Sequence, residues 1–382
     1  LSAASSTLSS PSSPPNLRLE ALVTEGLRCL GRLELRPDPG LNVLFGANGQ
    51  GKTSVLEAIY LLCTSRSFRT ARLAELVSHG AASGFVRGRF AEGAGGAHRE
   101  QTAALEGARV HVRLDGNRPA SLVSYATLSP VVVFHPDELA LSRGPARGRR
   151  TLLDRIALFM DPTSADHRAR YGKALRSRQE LLRRGGAEES ALYAFEVLCA
   201  RHGAAVTRAR AVAVAQLEGA LATAFARIAA PDLALSVRYE PGGSEDETLV
   251  VAELRRQRGG DARRKSAGFG PHRDDLGLFL GGFPARFVAS QGQHRALALA
   301  LKAAEAACVT EARGLAPLWL LDDVSSELDP QRTEALFAFL SGLEGQVFLT
   351  TTRPDVLETG AFGARHGTRF EVASGAVTAQ PE

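Results

Sequence analysis

The sequence predicts an α/β fold built on a phosphate-binding loop: a mixed sheet with helices, interrupted by an inserted helical lobe. Three observations predict it. Residues 46–53 read Gly-Ala-Asn-Gly-Gln-Gly-Lys-Thr between an apolar run (Leu41–Phe45) and a helical one (Ser54–Cys63). Far downstream, Pro317-Leu-Trp-Leu-Leu-Asp-Asp323 is an apolar run closed by paired acids. Between them, from about residue 146, strand-like alternation gives way to long helical stretches rich in Ala, Leu and Arg.

Strand, Gly-rich loop, helix is the context in which the first motif carries meaning. Gly46, Ala47, Asn48, Gly49, Gln50 and Gly51 let successive backbone N–H groups curl round the α- and β-phosphates of a nucleoside triphosphate such as ATP. The following helix turns its positive end to the same anion. Lys52 reaches the β- and γ-phosphates, and the Thr53 hydroxyl holds Mg²⁺.

A carboxylate must complete the Mg²⁺ shell. Ligands of open parallel sheets gather at the carboxyl ends of strands, where Asp322 and Asp323 fall. Asp322 is assigned to Mg²⁺, and Asp323 to orienting or activating the attacking water. The alternative is that the pair only caps the next stretch of chain. A third acid, Asp329, stands on the next loop in Ser325-Ser-Glu-Leu-Asp329. Most of the chain separates Lys52 from Asp322, far more than a compact phosphate-loop fold needs, so a lobe is inserted.

Just before the acidic run, Ser290-Gln-Gly-Gln-His-Arg leads into a strongly helical stretch from Ala296. Ser290 is a good N-cap for a long helix. A capped helix start carrying Ser290, Gln291, Gly292 and Gln293 is a ready phosphate site. The γ-phosphate already has its loop at 46–53, so these four residues are read as serving a nucleotide held by a second protomer. The plain alternative is an ordinary capped helix.

Residues 17–45 form short apolar runs read as strands feeding the loop, and 85–134 continue in that style. Asp115-Gly-Asn117 reads as a hairpin signal between Val110–Leu114 and Val131–Phe134. Residues 149–184 and 187–229 are helical, broken by Gly185-Gly186 and Pro231. A strand (Leu233–Tyr239), a helix near 247–258 and a second hairpin signal at Gly281-Gly282 come next. The predicted division is a disordered tail (1–16), one half of the head (17–145), an inserted, mainly helical arm (146–266) and the second half of the head (267–382).

At 382 residues and 44% hydrophobic, the chain can bury a sizeable core. No stretch approaches the roughly 18 uninterrupted apolar residues of a membrane span. Leu1–Pro15 is mostly Ser, Ala and Pro, without the basic start or apolar centre of a secretory signal. Cys29, Cys63, Cys199 and Cys308 are scattered, which predicts reduced thiols and a cytoplasmic protein. The net charge of +5 is a mild hint of a polyanionic partner. Only four of the 46 basic residues are lysines, a bias that genome base composition also produces.

These segments together resemble one family. Gly46–Thr53, Ser290–Gln293 and Leu320–Asp329 are similar to the Walker A, signature and Walker B/D-loop segments of ABC-type ATPases. Within that class the chain resembles the RecF family of bacterial recombination mediators. Arg66-Ser-Phe-Arg69, Arg149-Arg-Thr-Leu-Leu-Asp154 and Gly270-Pro-His-Arg-Asp-Asp-Leu276 extend the likeness, which runs from about residue 17 to the C-terminus. The resemblance implies an ABC-type ATPase head with a short helical lobe and no long coiled coil. It also implies an ATP-dependent homodimer acting at gaps and stalled forks, with RecR as partner and RecO and RecA downstream.

The densest basic segment is His167–Arg184, with seven Lys or Arg against one Glu. Arg168, Arg170, Lys173, Arg176, Arg178, Arg183 and Arg184 from it, Arg149 and Arg150 before it, and Arg264 and Lys265 after it are the candidates for contacts to double-stranded, gapped or junction DNA. Such backbone contacts carry no sequence readout. For any one of them a solvated helix face is the plain alternative. Arg66, Arg69, His272 and Arg273 could meet nucleotide or DNA, or hold the fold.

Two departures matter. ABC-type ATPases place Glu directly after the Walker B Asp, where this chain has Asp323, and the shorter reach predicts slow, DNA-stimulated hydrolysis. Thr350-Thr-Thr-Arg-Pro354 comes after a strand where many relatives carry a γ-phosphate-sensing histidine; Thr351 is the candidate to replace it, with the choice among the three threonines left open. No glutamine stands out as a Q-loop ligand, and the role of Phe134-His-Pro-Asp-Glu138 stays open. A transporter motor or a nuclease-associated head is the rival assignment, and the long separation of Lys52 from Ser290 argues against the motor.

Overall fold

The computed structural model describes residues 16–93, 96–184, 188–228, 234–323, 342–353 and 367–380. The expected tail therefore lies outside the described residues except for Asn16, which pairs with Ala316 in an isolated bridge. The loop carrying Asp329 lies outside them too.

The first part of the chain gives β1 (Leu17–Glu25), β2 (Leu33–Leu35), β3 (Leu41–Phe45) and α1 (Lys52–Thr64). Then come β4 (Ser83–Glu92), β5 (His98–Glu106), β6 (Arg109–Leu114), α2 (Leu122–Ala126) and β7 (Val131–Phe134). The helices of the middle are α3 (Ala140–Arg143), α4 (Ala146–Met160), α5 (Thr163–Arg184) and α6 (Glu189–Ile228). β8 (Leu235–Glu240), α7 (Glu247–Arg256), α8 (Arg258–Arg264), β9 (Asp275–Leu280), β10 (Phe283–Pro284) and α9 (Ala285–Val288) lead to the long α10 (Gln291–Arg313). The chain then gives β11 (Leu318–Leu321), β12 (Val347–Thr351), β13 (Gly367–Ala373) and β14 (Ala376–Gln380).

Two sheets form the head. One is antiparallel, in the order β2-β1-β4-β5-β6; the other runs β14-β13-β3-β12-β11-β7, parallel except for its β14 edge. Helix α1 packs on β4 and β5 of the first sheet and on β7 and β12 of the second. That explains why it is apolar almost all round and buried at every residue but Thr53. Its one buried carboxylate, Glu57, is paired with Arg28 at 2.8 Å. The second sheet carries its other core on the opposite face, where Val132, Phe134, Trp319 and Leu349 meet Ala298 and Leu299 of α10.

The hairpin expected at Asp115-Gly-Asn117 is not there. β6 pairs with β5, whereas β7 lies in the other sheet beside β11. β7 is buried at every position and β6 at none, so the two could not share one half-solvated sheet. At Gly281-Gly282 the structure does have a hairpin, with both φ values positive (56° and 84°) between β9 and β10.

Elements of the expected helical arm pack on elements that follow residue 266. β8 pairs with β9, and α10 packs along α6 and α4. One core joins Leu217 and Leu221 to Leu276, Leu278, Leu297 and Leu301. Helix α6 is long and apolar enough to cross a membrane by length and composition alone. Yet it carries buried Arg210, which ion-pairs with Asp154 and Asp274 at 2.9 Å each, and these polar contacts tie it into the lobe. Arg155 of α4 fastens lobe to head: it donates to Glu305 of α10 at 2.6 Å and to the Tyr60 hydroxyl of α1 at 2.7 Å.

Candidate nucleotide-binding site

β3 runs between β12 and β13 at the middle of its sheet and ends where the loop begins. Gly46 has φ 148°, and a Cβ there would lie 2.3 Å from the Val372 carbonyl oxygen, so only glycine fits. The turn between β13 and β14 grips the loop from the side. Ser374 N–H donates to Gln50 Oε1 at 2.6 Å, and Gly375 N–H to the Gln50 carbonyl at 2.9 Å. Helix α1 starts on Gly51 with no side-chain cap, which leaves its first N–H groups free of a side-chain acceptor.

Lys52 is 8% exposed, and its Nζ donates to the carbonyls of Gly46 and Ala47 at 2.7 and 2.9 Å. Burial pulls its pKa below the usual lysine value, while Asp323 and Asp322 oppose that shift. Thr53 donates to both carboxylate oxygens of Asp322, at 2.9 and 3.0 Å. Asp322 comes directly after the fully buried β11, and its N–H donates to the Phe134 carbonyl at 2.8 Å. Asp323 sits beside it in a left-handed conformation, φ 49°.

β12 brings one of the three consecutive threonines to the acids. The Thr350 hydroxyl donates to Asp322 Oδ1 at 2.7 Å and accepts from the Asp323 N–H at 2.9 Å. Thr351, one strand position on, accepts from the Arg353 N–H at 3.0 Å in its own turn. Strand alternation would show that only one of the two can face the acids, but not which. In the 3₁₀ turn after β7 (Pro136–Leu139), Glu138 lies 4.0 Å from Lys302 of α10 and 3.4 Å from His135.

Ser290 caps α10 as expected, in a capping box. Gln293 N–H donates to Ser290 Oγ at 3.3 Å, and Gln293 Oε1 accepts from the Ser290 N–H at 2.7 Å. Ser290 and Gln291 are exposed, and Gly292 and Gln293 partly so. Among the described residues no hydrogen bond joins this segment to Gly46–Thr53.

The chain matches the family model of the RecF/RecN/SMC N-terminal domain over residues 18–366. It is 43% identical to the DNA replication and repair protein RecF of Anaeromyxobacter sp. (strain Fw109-5), across 90% of this chain and 95% of that one. It belongs to the RecF family. The identity is 38% to RecF of Myxococcus xanthus (strain DK1622), across 88% and 91%. A solved structure of the recombination mediator protein RecF-ATPrS in the RecFOR pathway superposes with a TM-score of 0.85 at 27% identity, covering 97% of this chain and 100% of that one. An Smc head bound to the C-winged helix domain of ScpA shares the fold alone, with a TM-score of 0.55 at 17% identity. Membership in the RecF family makes the chain an ABC-type ATPase of DNA replication and recombinational repair.

The cations expected on this RecF-family lobe divide by burial. Arg178 is fully buried, pairing with Glu196 at 3.2 Å and Asp261 at 2.7 Å, and Arg149 is buried against Asp275 at 2.7 Å. Both hold the lobe together and cannot reach DNA. Arg150 is half-buried and donates to the Asp274 carbonyl, and Arg168 pairs with Asp154. Arg170, Lys173, Arg176, Arg183 and Arg184 are exposed on α5, within an arc of about 140° at 100° per residue. Arg170 pairs with Asp166, and Arg183 and Arg184 with Glu180. Arg264 pairs with Asp261, and Lys265 is exposed beyond α8.

His272 and Arg273 both bond the Ala267 carbonyl. Arg69 lies 3.5 Å from Glu57, and Arg66 is exposed.

Proposed function

We propose that the chain is an ATP-dependent DNA clamp. Two copies close face to face on ATP, each completing the other's nucleotide site with Ser290–Gln293, and they part on slow hydrolysis. The supporting observation is the division of the machinery. Thr53 and Asp322 are in contact at the phosphate loop, whereas the capped start of α10 is exposed and shares no hydrogen bond with that loop among the described residues.

The donor set fits Mg²⁺ and a triphosphate. Thr53 and Asp322 offer converging hard oxygens, α1 opens without a side-chain cap, and Lys52 rests on loop carbonyls it can exchange for phosphate oxygens. Bound there, Mg²⁺ would neutralise charge on the phosphates. Asp323 holds the attacking water. Its short side chain keeps turnover slow, and DNA speeds it.

The exposed cations of α5, with Lys265, support contacts to duplex, gapped or junction DNA through phosphates alone. The RecFOR pathway of the solved relative supports RecR as partner, with RecO; action upstream of RecA, in the cytoplasm, belongs to the same proposal.

The test is the solution mass with and without Mg·ATP for wild type, Lys52→Ala and Ser290→Arg, each with and without a short duplex. A monomer that doubles only in wild type and only with ATP, and then retains DNA, is the expected result. A mass indifferent to ATP refutes the clamp.

A further inference from the structure

Phe283, Phe287 and Val288 are 63%, 74% and 50% exposed, three large apolar side chains within six consecutive residues. Phe287 is the most exposed large apolar side chain among the described residues. The local backbone puts them outside. The Gly281-Gly282 turn ends β9, and β10 runs back as a short edge that leaves Phe283 in water. α9 is a single turn that buries Ala285 against β9, so Phe287 points to the far side, about 200° round the helix.

An apolar cluster kept in water marks a surface meant to be covered. Its position names the cover. Val288 stands two residues before Ser290, the cap of α10. A second copy whose nucleotide site is closed by Ser290–Gln293 must come within reach of Phe287.

Charge points the same way. The Arg286 guanidinium lies over the Phe287 ring, 4.6 Å from its centroid, and Arg143 stands close enough to His294 on α10 to lower its pKa alongside burial. This rim is cationic, whereas the site it would face carries Asp322 and Asp323. Aromatic side chains beside arginine are the usual energetic centres of protein interfaces.

We infer that Phe283, Phe287 and Val288 are the apolar anchor of an interface with a second copy of this chain, formed when the nucleotide site closes. The inference rests on the clamp reading and adds to it the surface that gives the closed state its grip. In a two-fold dimer the patch is used twice, so one substitution removes two anchors.

The test is sedimentation of the full chain with Mg²⁺ and a non-hydrolysable ATP analogue, across a concentration series. The samples are wild type, Phe287→Asp, Phe283→Asp and Phe287→Leu, with Leu249→Asp on α7 as an exposed apolar control (59% exposed). Fluorescent-nucleotide binding by each monomer is measured in parallel. Phe287→Asp is expected to weaken dimerisation by about 100-fold, about tenfold per anchor, with nucleotide binding unchanged. Phe283→Asp shifts it the same way, Phe287→Leu keeps most of the affinity, and Leu249→Asp matches wild type. A Phe287→Asp protein that dimerises like wild type overturns the anchor and leaves the clamp standing. An equal loss in Leu249→Asp also overturns it. A wild type that stays monomeric with nucleotide overturns the clamp and the anchor together.

Discussion

Thr53 and Asp322 are 269 positions apart in sequence, yet the Thr53 hydroxyl donates to both oxygens of the Asp322 carboxylate. Asp322 is held from three sides: by Thr53 at the start of α1, by Thr350 on β12 and, through its N–H, by the last residue of β7. Asp323 next to it gives its N–H to the same Thr350 hydroxyl. Asp322 is thus held against the Thr53 hydroxyl, where a metal ligand must be, and Asp323 follows it one residue on in a left-handed conformation.

That difference predicts separable losses. Asp322→Asn should weaken nucleotide binding in Mg²⁺ while changing binding in EDTA little. Asp323→Asn should leave binding within about twofold and cut hydrolysis by about 100-fold or more. Fluorescent-nucleotide titration with and without Mg²⁺, beside phosphate release, separates the two. Equal effects of both substitutions on binding would reject the assignment.

Gly46 should tolerate no side chain. A Cβ there meets the Val372 carbonyl at 2.3 Å in a backbone region that L-residues rarely adopt. Gly46→Ala should cost about 1–3 kcal/mol in strain or displace the loop and abolish nucleotide binding. Gly31→Ala, with nothing within 4 Å of the added carbon, is the matched control. Urea unfolding and nucleotide titration of both variants decide it.

Arg178 and Lys173 share α5 but should fail differently. Arg178→Ala strips a buried guanidinium from Glu196 and Asp261 and should cost about 3–5 kcal/mol of stability. Lys173→Ala should leave stability unchanged and lower the salt slope of duplex binding by about one. Unfolding curves and a salt titration of DNA binding check the pair. A Lys173 variant with an unaltered slope removes that residue from the DNA surface.

The same two residues show where sequence reading stops. The phosphate loop, the acids after β11 and the Ser290 cap are legible because each is a local pattern whose chemistry depends on near neighbours. Arg178 and Lys173 read alike because what separates them, Glu196 and Asp261, arrives from α6 and α8. Thr350 and Thr351 differ only in which face of β12 each takes, which needs the strand's partners. The hairpin expected between β6 and β7 fails for the same reason: the place of β7 beside β11 is set by a segment nearly two hundred residues downstream (Val131 opposite Leu318). β8 likewise finds its partner, β9, only beyond residue 266, which local reading cannot show.

Acid should loosen the lobe through His272. Its Nδ1 faces the Tyr171 hydroxyl at 2.7 Å and its Nε2 the Ala267 carbonyl at 3.0 Å, an arrangement satisfied by the neutral ring with its proton on Nε2. Burial depresses its pKa below the ordinary 6.5. The Ala267 bond and Asp274 oppose the shift, and Arg273 and Arg150 reinforce it. Between the depressed folded value and 6.5 the unfolded chain binds more protons than the folded one, so stability rises with pH there. It is complete above about 6.5 and is lost as pH falls towards the folded value. His202 and His294 are depressed as well, each mainly by burial, and add slope of the same sign. His272→Gln keeps a donor for Ala267 and an acceptor for Tyr171 but cannot titrate. Its urea midpoint should lie near that of wild type at pH 7.5 and fall less between pH 7.5 and 5.5. Parallel losses in the two proteins would place the acid sensitivity elsewhere.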